Sequence, residues 1–340
     1  SLPKNLFTNI GFSHLDLIKV DGTFKTGVAK HGWGKTGDYF FHDFPPPMLS
    51  YHFNAVKLQD YIFDKIKDKV KIFDHNITSD DIDADFVLDC SGAPKTLEKF
   101  NIPKYVSVNA VHVNQCFWDQ PTFQHTLAIA RPYGWVFGIP LTNRCSIGYM
   151  YNKDINTLEE VKEDILVVIK EHNLTPSDTT NTFAFNSYTR KQNFEGRVAY
   201  NGNASFFLEP LEATSIGAMD LIQRLFYDMC RGKIEIDYAN YRYNLFLDQV
   251  EKFVMMHYFA GSPYKTKFWE YAQQRGALCM DELKHDEFFK AMCHRAISAN
   301  SINDLQVQNT YEEYGVWWPG SFYQHLKGLN IQDDILKFIS

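Results

Sequence analysis

Residues 206–217 read FFLEPLEATSIG, placing two carboxylates, Glu209 and Glu212, on either side of Pro210 in an otherwise apolar stretch. Carboxylates are rarely buried without a partner, so the stretch is either a surface turn or a site whose partner lies elsewhere in the chain. The segment after it has a helical period: Ile216, Met219, Ile222, Leu225 and Phe226 recur at intervals of three and four, which predicts a core-facing stripe and a helix start near Thr214 or Ser215. The segment before it, GRVAYNGNA at 196–204, reads as a strand that carries Gly202 and Asn203 into the same turn. Strand, glycine-polar turn and helix N-terminus, with its unpaired N–H groups and positive dipole end, suit an anion: a ribityl or phosphate group, or a halide. Glu209 is expected to be structural or solvent-facing, and Glu212 to need a partner.

The same reading extends outward. ADFVLDCSG at 84–92 is a short apolar run closing on Ser91 and Gly92, the pattern of a buried strand feeding a tight turn. Thr23 to His31 reads as a single strand whose Lys25 face also carries Gly27 and Ala29, leaving room for an amine to project into a cavity. Val106 to Tyr151 holds several β-rich runs broken by Pro and Gly, among them HTLAIARPYGWVFGIP and RCSIGYMY, which predict an antiparallel sheet. Helical periods run over 56–66 and Thr157 to His172, and a helix-like start over Asn5 to Leu17, before the loop HDFPPPM. Beyond residue 231 the chain reads as helical and aromatic. The expected class is α/β or α+β, with a body over 1–230 and a helical cap over 231–340.

Composition excludes several classes. The 34 basic and 41 acidic residues leave a net charge of −7, and no Lys/Arg run is dense enough to track phosphates, so nucleic acid is not expected as a partner. The six cysteines are scattered with no CxxC pair, which suits a reducing, cytoplasmic compartment. No apolar run approaches the roughly 20 residues of a membrane span. Aromatics make up 16% of the chain, an excess that either a planar ligand or a large aromatic core explains.

Two motifs mislead. Gly32, Gly34 and Gly37 in HGWGKTG match GxGxxG, yet the continuation DYFFHDFPPP cannot be the helix whose N-terminus would meet phosphates, so the stretch reads as a glycine-rich turn. Glu282, His285, Cys293 and His294 fit no tetrahedral metal spacing, and the adjacent Cys293 and His294 point about 100° apart on a helix. No metal site is expected from them.

Taken in order, DGTFKTGVAKHGW, YHFNA, FVLDCSG, GWVFGIPLTNRCSIGY, FFLEPLEATSIG, MMHYFAGSPYKTKFW and WWPGSFYQHLKGL resemble the flavin-dependent halogenases of the tryptophan-halogenase type, including their phage-encoded branch. GWVFGIP is similar to that family's WxWxIP signature, with Phe137 in place of the second Trp. The resemblance implies FAD used as FADH2, O2 and a halide (chloride, bromide or iodide), with reduced flavin delivered by a separate reductase. Hypohalous acid then travels through the protein to a lysine, which by position in GTFKTG is Lys25, with Glu212 of EPLEAT as the carboxylate beside it. An ammonium at Lys25 would donate a hydrogen bond to hypohalous acid, whereas a haloamine route needs the neutral amine; the residues leave both open. Glu212 can also take the ring proton after halogen addition. The resemblance further implies flavin contacts at Ser91, Gly92, Trp135, Phe137, Gly202, Asn203, Pro210 and Ile216, and a halide beside Thr214 and Ser215. The substrate implied is a small aromatic or other electron-rich molecule, and the assembly a homo-oligomer.

Departures from the family leave two alternatives. The chain begins inside a segment that follows the family's strand–GxGxxG–helix unit, and without that unit FAD binding is expected to be weak. A catalytically silent flavoprotein relative is therefore one alternative, and an aromatic monooxygenase the other, although hydroxylation needs neither Lys25 nor GWVFGIP. Phe137 loosens substrate exclusion from the flavin, Ser215 stands where the family has Gly beside the halide, and Phe322 replaces a Trp, which weakens the case for tryptophan itself as substrate. The aromatic segment Tyr314 to Tyr323 is expected to shape the substrate pocket.

Overall fold

The alternation in GWVFGIP becomes the middle of a seven-stranded sheet in the computed structural model, which describes residues 10–44, 50–75, 77–78, 81–306 and 317–340. In sheet order the strands are Thr175–Ala184, Ala110–Phe117, Arg144–Tyr151, Gly134–Pro140, Thr126–Arg131, Gly27–His31 and Phe40–Asp43. All neighbours are antiparallel except Gly27–His31 against Thr126–Arg131. Because successive side chains leave opposite faces, Trp135 and Phe137 point to one side and Val136 to the other. The Val136 side is closed by the helix Leu158–Glu171, whose Val161, Ile165, Val168 and Ile169 are buried against it. Thr157 and Glu160 form its capping box, each bonding the other's backbone N–H.

The opposite face carries the main core, which the long helix Ile236–Ala260 crosses together with Ser215–Cys230, Lys267–Glu282, Glu287–Ser298 and Pro319–Gly328. That core runs without a break from Val28 to Ile339, so the body and the helical cap share one apolar interior.

Three expectations change in detail. The strand expected over 23–31 is two: Thr23–Lys25 pairs with Ser50–His52 in a small sheet of its own, and the chain crosses at Thr26 into the large sheet at Gly27–His31. Lys25 therefore does not share a continuous face with Gly27 and Ala29. On Ser215–Cys230 the buried residues are Ala218, Leu221, Ile222, Leu225 and Met229, whereas Ile216 is 37% exposed. The first turn borders a cavity rather than the core, which rotates the buried stripe. Near the N-terminus the described part of the expected helix is a 3-10 turn, His14–Val20, and residues 5–9 lie outside the described residues, as do 45–49 of the proline-rich loop and 314–316 of the aromatic segment. HGWGKTG is a turn, with Gly32, Gly34 and Gly37 all at positive φ and Gly34 N–H donating to the Gly261 carbonyl.

Candidate active site

FFLEPLEATSIG builds its site through one tight turn. Ala213 N–H donates to the Pro210 carbonyl at 2.8 Å, which puts Glu212 at the third position of a four-residue turn with φ +75°. That is the position a type II turn normally gives to glycine, and Ala213 follows at φ +52°. Left-handed backbone at a residue with a Cβ costs about 1–3 kcal/mol, so the surrounding contacts must hold it. Its consequence is direction: the Glu212 carboxylate turns inward and is 1% exposed.

Four side chains meet that carboxylate. The Lys30 amine, itself without solvent exposure, pairs with Glu212 Oε1 and also contacts His257 Nε2. His257 Nε2 lies 3.2 Å and His325 Nε2 3.4 Å from Oε1, and His42 Nδ1 lies 3.4 Å from Oε2. His257 and His325 each direct Nδ1 at the carbonyl four residues earlier in their own helix, at Phe253 and Ser321. Those bonds fix the proton on Nδ1 and leave Nε2 as an acceptor facing the cluster. Burial pushes all three imidazoles well below the ordinary histidine range, so they stay neutral. His42 Nδ1, His325 Nε2 and the Glu212 carboxylate lie within 4.8 Å of one another, a two-histidine, one-carboxylate donor set. The Lys30 amine contacts the same carboxylate, and burial pushes that amine well below the ordinary lysine range.

The pairing inferred between Lys25 and Glu212 is thus corrected: the ion-pair partner of Glu212 is Lys30, five residues on. Lys25 still reaches the neighbourhood. Lys25 and Glu212 line one cavity of about 440 Å³ together with Phe137, Ile139, Pro210, Ala213, Thr214, Ile216, Gly217 and Trp317. Lys25 is 8% exposed and, among the described residues, makes no hydrogen bond or ion pair; its amine lies 5.6 Å from the centre of the Phe44 ring. Burial lowers that amine to about 8.

The other sequence-predicted residues divide into two groups. Pro210, Thr214, Ile216 and Phe137 line the cavity with Lys25 and Glu212, and Ser215 opens the helix whose first turn forms its floor. Ser91, Gly92, Gly202 and Asn203 do not line it. They gather where the parallel strands Val87–Asp89 and Val198–Tyr200 end, joined by Asn201 N–H donating to the Asp89 carbonyl at 2.8 Å. Asn201 in turn donates from Nδ2 to the Met219 carbonyl of the helix at 3.1 Å, which ties this edge to the helix start. A Cβ built at Gly92 or Gly217 meets nothing within 4 Å, and one at Gly202 meets only Met219 at 3.9 Å. The backbone at these glycines is open, and no side chain caps the N-terminus of Ser215–Cys230. Trp135 is buried one step deeper, against Trp33, while Phe137 lies over Gly148 of the neighbouring strand. Glu209 is 7% exposed and accepts from Tyr258 Oη at 2.8 Å, and burial raises its carboxyl to about 8. Sequence reasoning misses Lys30 and the three histidines; a lysine inside the apolar strand GVAKH and a histidine inside VMMHYFA are the available signals.

Comparison with known proteins places the chain. The family described as tryptophan halogenase matches residues 56–332. Tryptophan 7-halogenase RebH of Lentzea aerocolonigenes is 26% identical over 274 residues, 74% of this chain and 50% of that protein. Tryptophan 6-halogenase SttH of Streptomyces toxytricini is 25% identical over 260 residues, 66% of this chain and 49% of that protein. The chain spans about half the length of these curated relatives. Among solved structures, Xcc4156, a flavin-dependent halogenase from Xanthomonas campestris, superposes with TM-score 0.73 at 17% identity, over 100% of this chain and 84% of that one. BrvH, a flavin-dependent halogenase from Brevundimonas sp. BAL3, gives 0.72 at 17% identity over 96% and 81%. At that identity the structural likeness speaks for the fold alone.

Proposed function

This chain belongs to the tryptophan halogenase family, and on that footing we propose that it is a flavin-dependent halogenase that delivers halogen by way of a lysine to a small electron-rich aromatic substrate. The observation that carries the reading is the shared cavity: Lys25 and Glu212 face one volume of about 440 Å³ that begins at the N-terminus of Ser215–Cys230. Reduced FAD, with O2 and a halide, supplies hypohalous acid when bound. The edge formed by Ser91, Gly92, Gly202 and Asn203 would hold the flavin, and the uncapped N–H groups after Thr214 and Ser215 would hold the halide.

The chain's own groups then have defined tasks. Phe137 and Ile139 line one wall of the cavity, so an aromatic substrate entering it meets apolar surface, while Lys25 offers its nitrogen to the halogen. Glu212, held at the cavity wall by the turn at Pro210, is the carboxylate nearest in role to a base for the ring proton. A separate reductase would supply FADH2, as the family resemblance implies.

The test supplies the protein with a flavin reductase, FAD, O2, bromide and a reactive phenol, and compares it with Lys25→Ala. Brominated product from the natural chain that is lost in the variant is the expected result. Hydroxylated product, or bromination that survives in Lys25→Ala, would overturn the reading.

A further inference from the structure

We propose that Lys30 is a positioning residue that occupies Glu212 and thereby leaves Lys25 as an unpaired amine in the cavity. The proposal rests on the halogenase reading only for what Lys25 does next; the state of Lys25 can be read without turnover.

Two lysines and one carboxylate stand close to one cavity, and their pairing decides which lysine keeps a usable lone pair. Lys30 points from the large sheet into the main core and spends its amine on Glu212 Oε1 and His257 Nε2. Lys30 and Glu212 share one proton between amine and carboxylate, so the pair is neutral as a unit whichever atom holds it. No charge from Glu212 is then left to stabilise an ammonium at Lys25. The other groups around Lys25, among the described residues, supply none either. His52, on the strand paired with that of Lys25, bonds Thr23 and Thr126 through its two ring nitrogens and is held neutral by burial. His42 is neutral for the same reason. Asp220, on the cavity's helical wall, is already paired with Arg224 at 3.1 Å.

The backbone explains how two lysines so close in sequence take opposite roles. The crossing at Thr26 places Lys25 in the small sheet and Lys30 in the large one, so their side chains approach Glu212 from different layers. An unpaired Lys25 can attack hypohalous acid: an N–X bond forms, the O–X bond breaks, and hydroxide leaves as water with the proton lost from nitrogen. Transfer to the ring forms C–X, breaks N–X and returns the nitrogen to an amine with the ring's proton. Lys30 is not available for that step, because its amine is engaged with Glu212 Oε1 and His257 Nε2.

The experiment is pH-resolved carbamylation of the full chain by cyanate, which reacts only with neutral amines, read at Lys25 by peptide mass spectrometry with exposed Lys170 as reference. In the natural chain Lys25 labelling is expected to titrate at about 8. In Lys30→Met, Glu212 is freed to pair with Lys25, and labelling at pH 8 should fall roughly tenfold for each unit by which the amine is raised. Lys30→Met with Glu212→Gln should return it toward the natural value. Should Lys30→Met fail to fold, Glu212→Gln alone decides: with Glu212 already taken up by Lys30, its loss should leave Lys25 labelling at pH 7 unchanged, because a buried Lys30 without its partner sheds its proton. Unchanged labelling in Lys30→Met, faster labelling in Glu212→Gln, or a natural Lys25 titrating with the exposed lysines overturns the proposal. If labelling shifts as expected but no halogenated product is ever found, the role of Lys30 stands and the halogenase reading falls.

Discussion

Lys30 and Glu212, 182 residues apart in sequence, form an ion pair in which neither side chain has meaningful access to water: 0% and 1% exposed. Breaking such a pair by removing one partner strands the other group in the core. Lys30→Met and Glu212→Gln should each lower unfolding free energy by about 3–5 kcal/mol, while the double variant loses much less than the sum. Urea unfolding of the four proteins checks this, and additive losses would mean that the two side chains do not act as a pair.

The Lys25 amine, lowered by burial to about 8 from 10.5, gives a second prediction. Between those two values the unfolded chain holds a proton that the folded chain lacks, so stability climbs as pH rises through that window. In Lys25→Met the climb should be flatter by an amount of the order of 3 kcal/mol. Thermal or urea unfolding at pH 8 and pH 10 compares the two proteins directly.

Glu209 should behave in the opposite sense. Its carboxyl is raised by burial to about 8, so above its ordinary value of 4.5 the folded chain keeps a proton that the unfolded chain releases. Stability is therefore lost progressively from about pH 4.5 to about pH 8. Glu209→Gln, a neutral acceptor for Tyr258, should remove that slope and leave stability at pH 5 within about 1 kcal/mol of the natural chain. A large loss at pH 5 would mean that Glu209 is ionised in the folded state.

Phe137 lies over Gly148, and a Cβ at Gly148 would overlap the ring. Gly148→Ala should drive the ring toward the cavity that Phe137 lines, costing about 1–3 kcal/mol and reducing the space open to an aromatic ligand. Phe137→Leu in the same chain should recover stability. Unfolding and indole or phenol binding to both variants test the steric claim.

How far the site is legible in the sequence depends on where its information is stored. A turn near Pro210, the helix start and the strand around residues 196–217 are readable from local chemistry, namely the break at Pro210, the apolar spacing after Ser215 and the glycine of the preceding turn. The antiparallel sheet is readable from alternation in GWVFGIP and RCSIGYMY. Lys30 is not, because a strand read as continuous over 23–31 hides a change of sheet at Thr26, which only pairing with Ser50–His52 reveals. His257 and His325 are hidden differently: each looks like a helix residue among apolar neighbours, and its direction toward Glu212 arises from packing between helices distant in sequence. Local pattern marks where the turn falls, whereas tertiary packing holds the left-handed backbone that aims Glu212 and supplies what it aims at.

The inward-turned Glu212 also bears on how the protein is assembled. Its carboxylate is enclosed by groups from a strand at residue 30 and from helices at residues 257 and 325. A chain emerging from the ribosome has made Lys30 and Glu212 long before His325 exists. Until Pro319–Gly328 docks, the left-handed turn at 212–213 lacks one of the contacts that hold it. The carboxylate's surroundings are therefore complete only when the segment carrying His325 is in place.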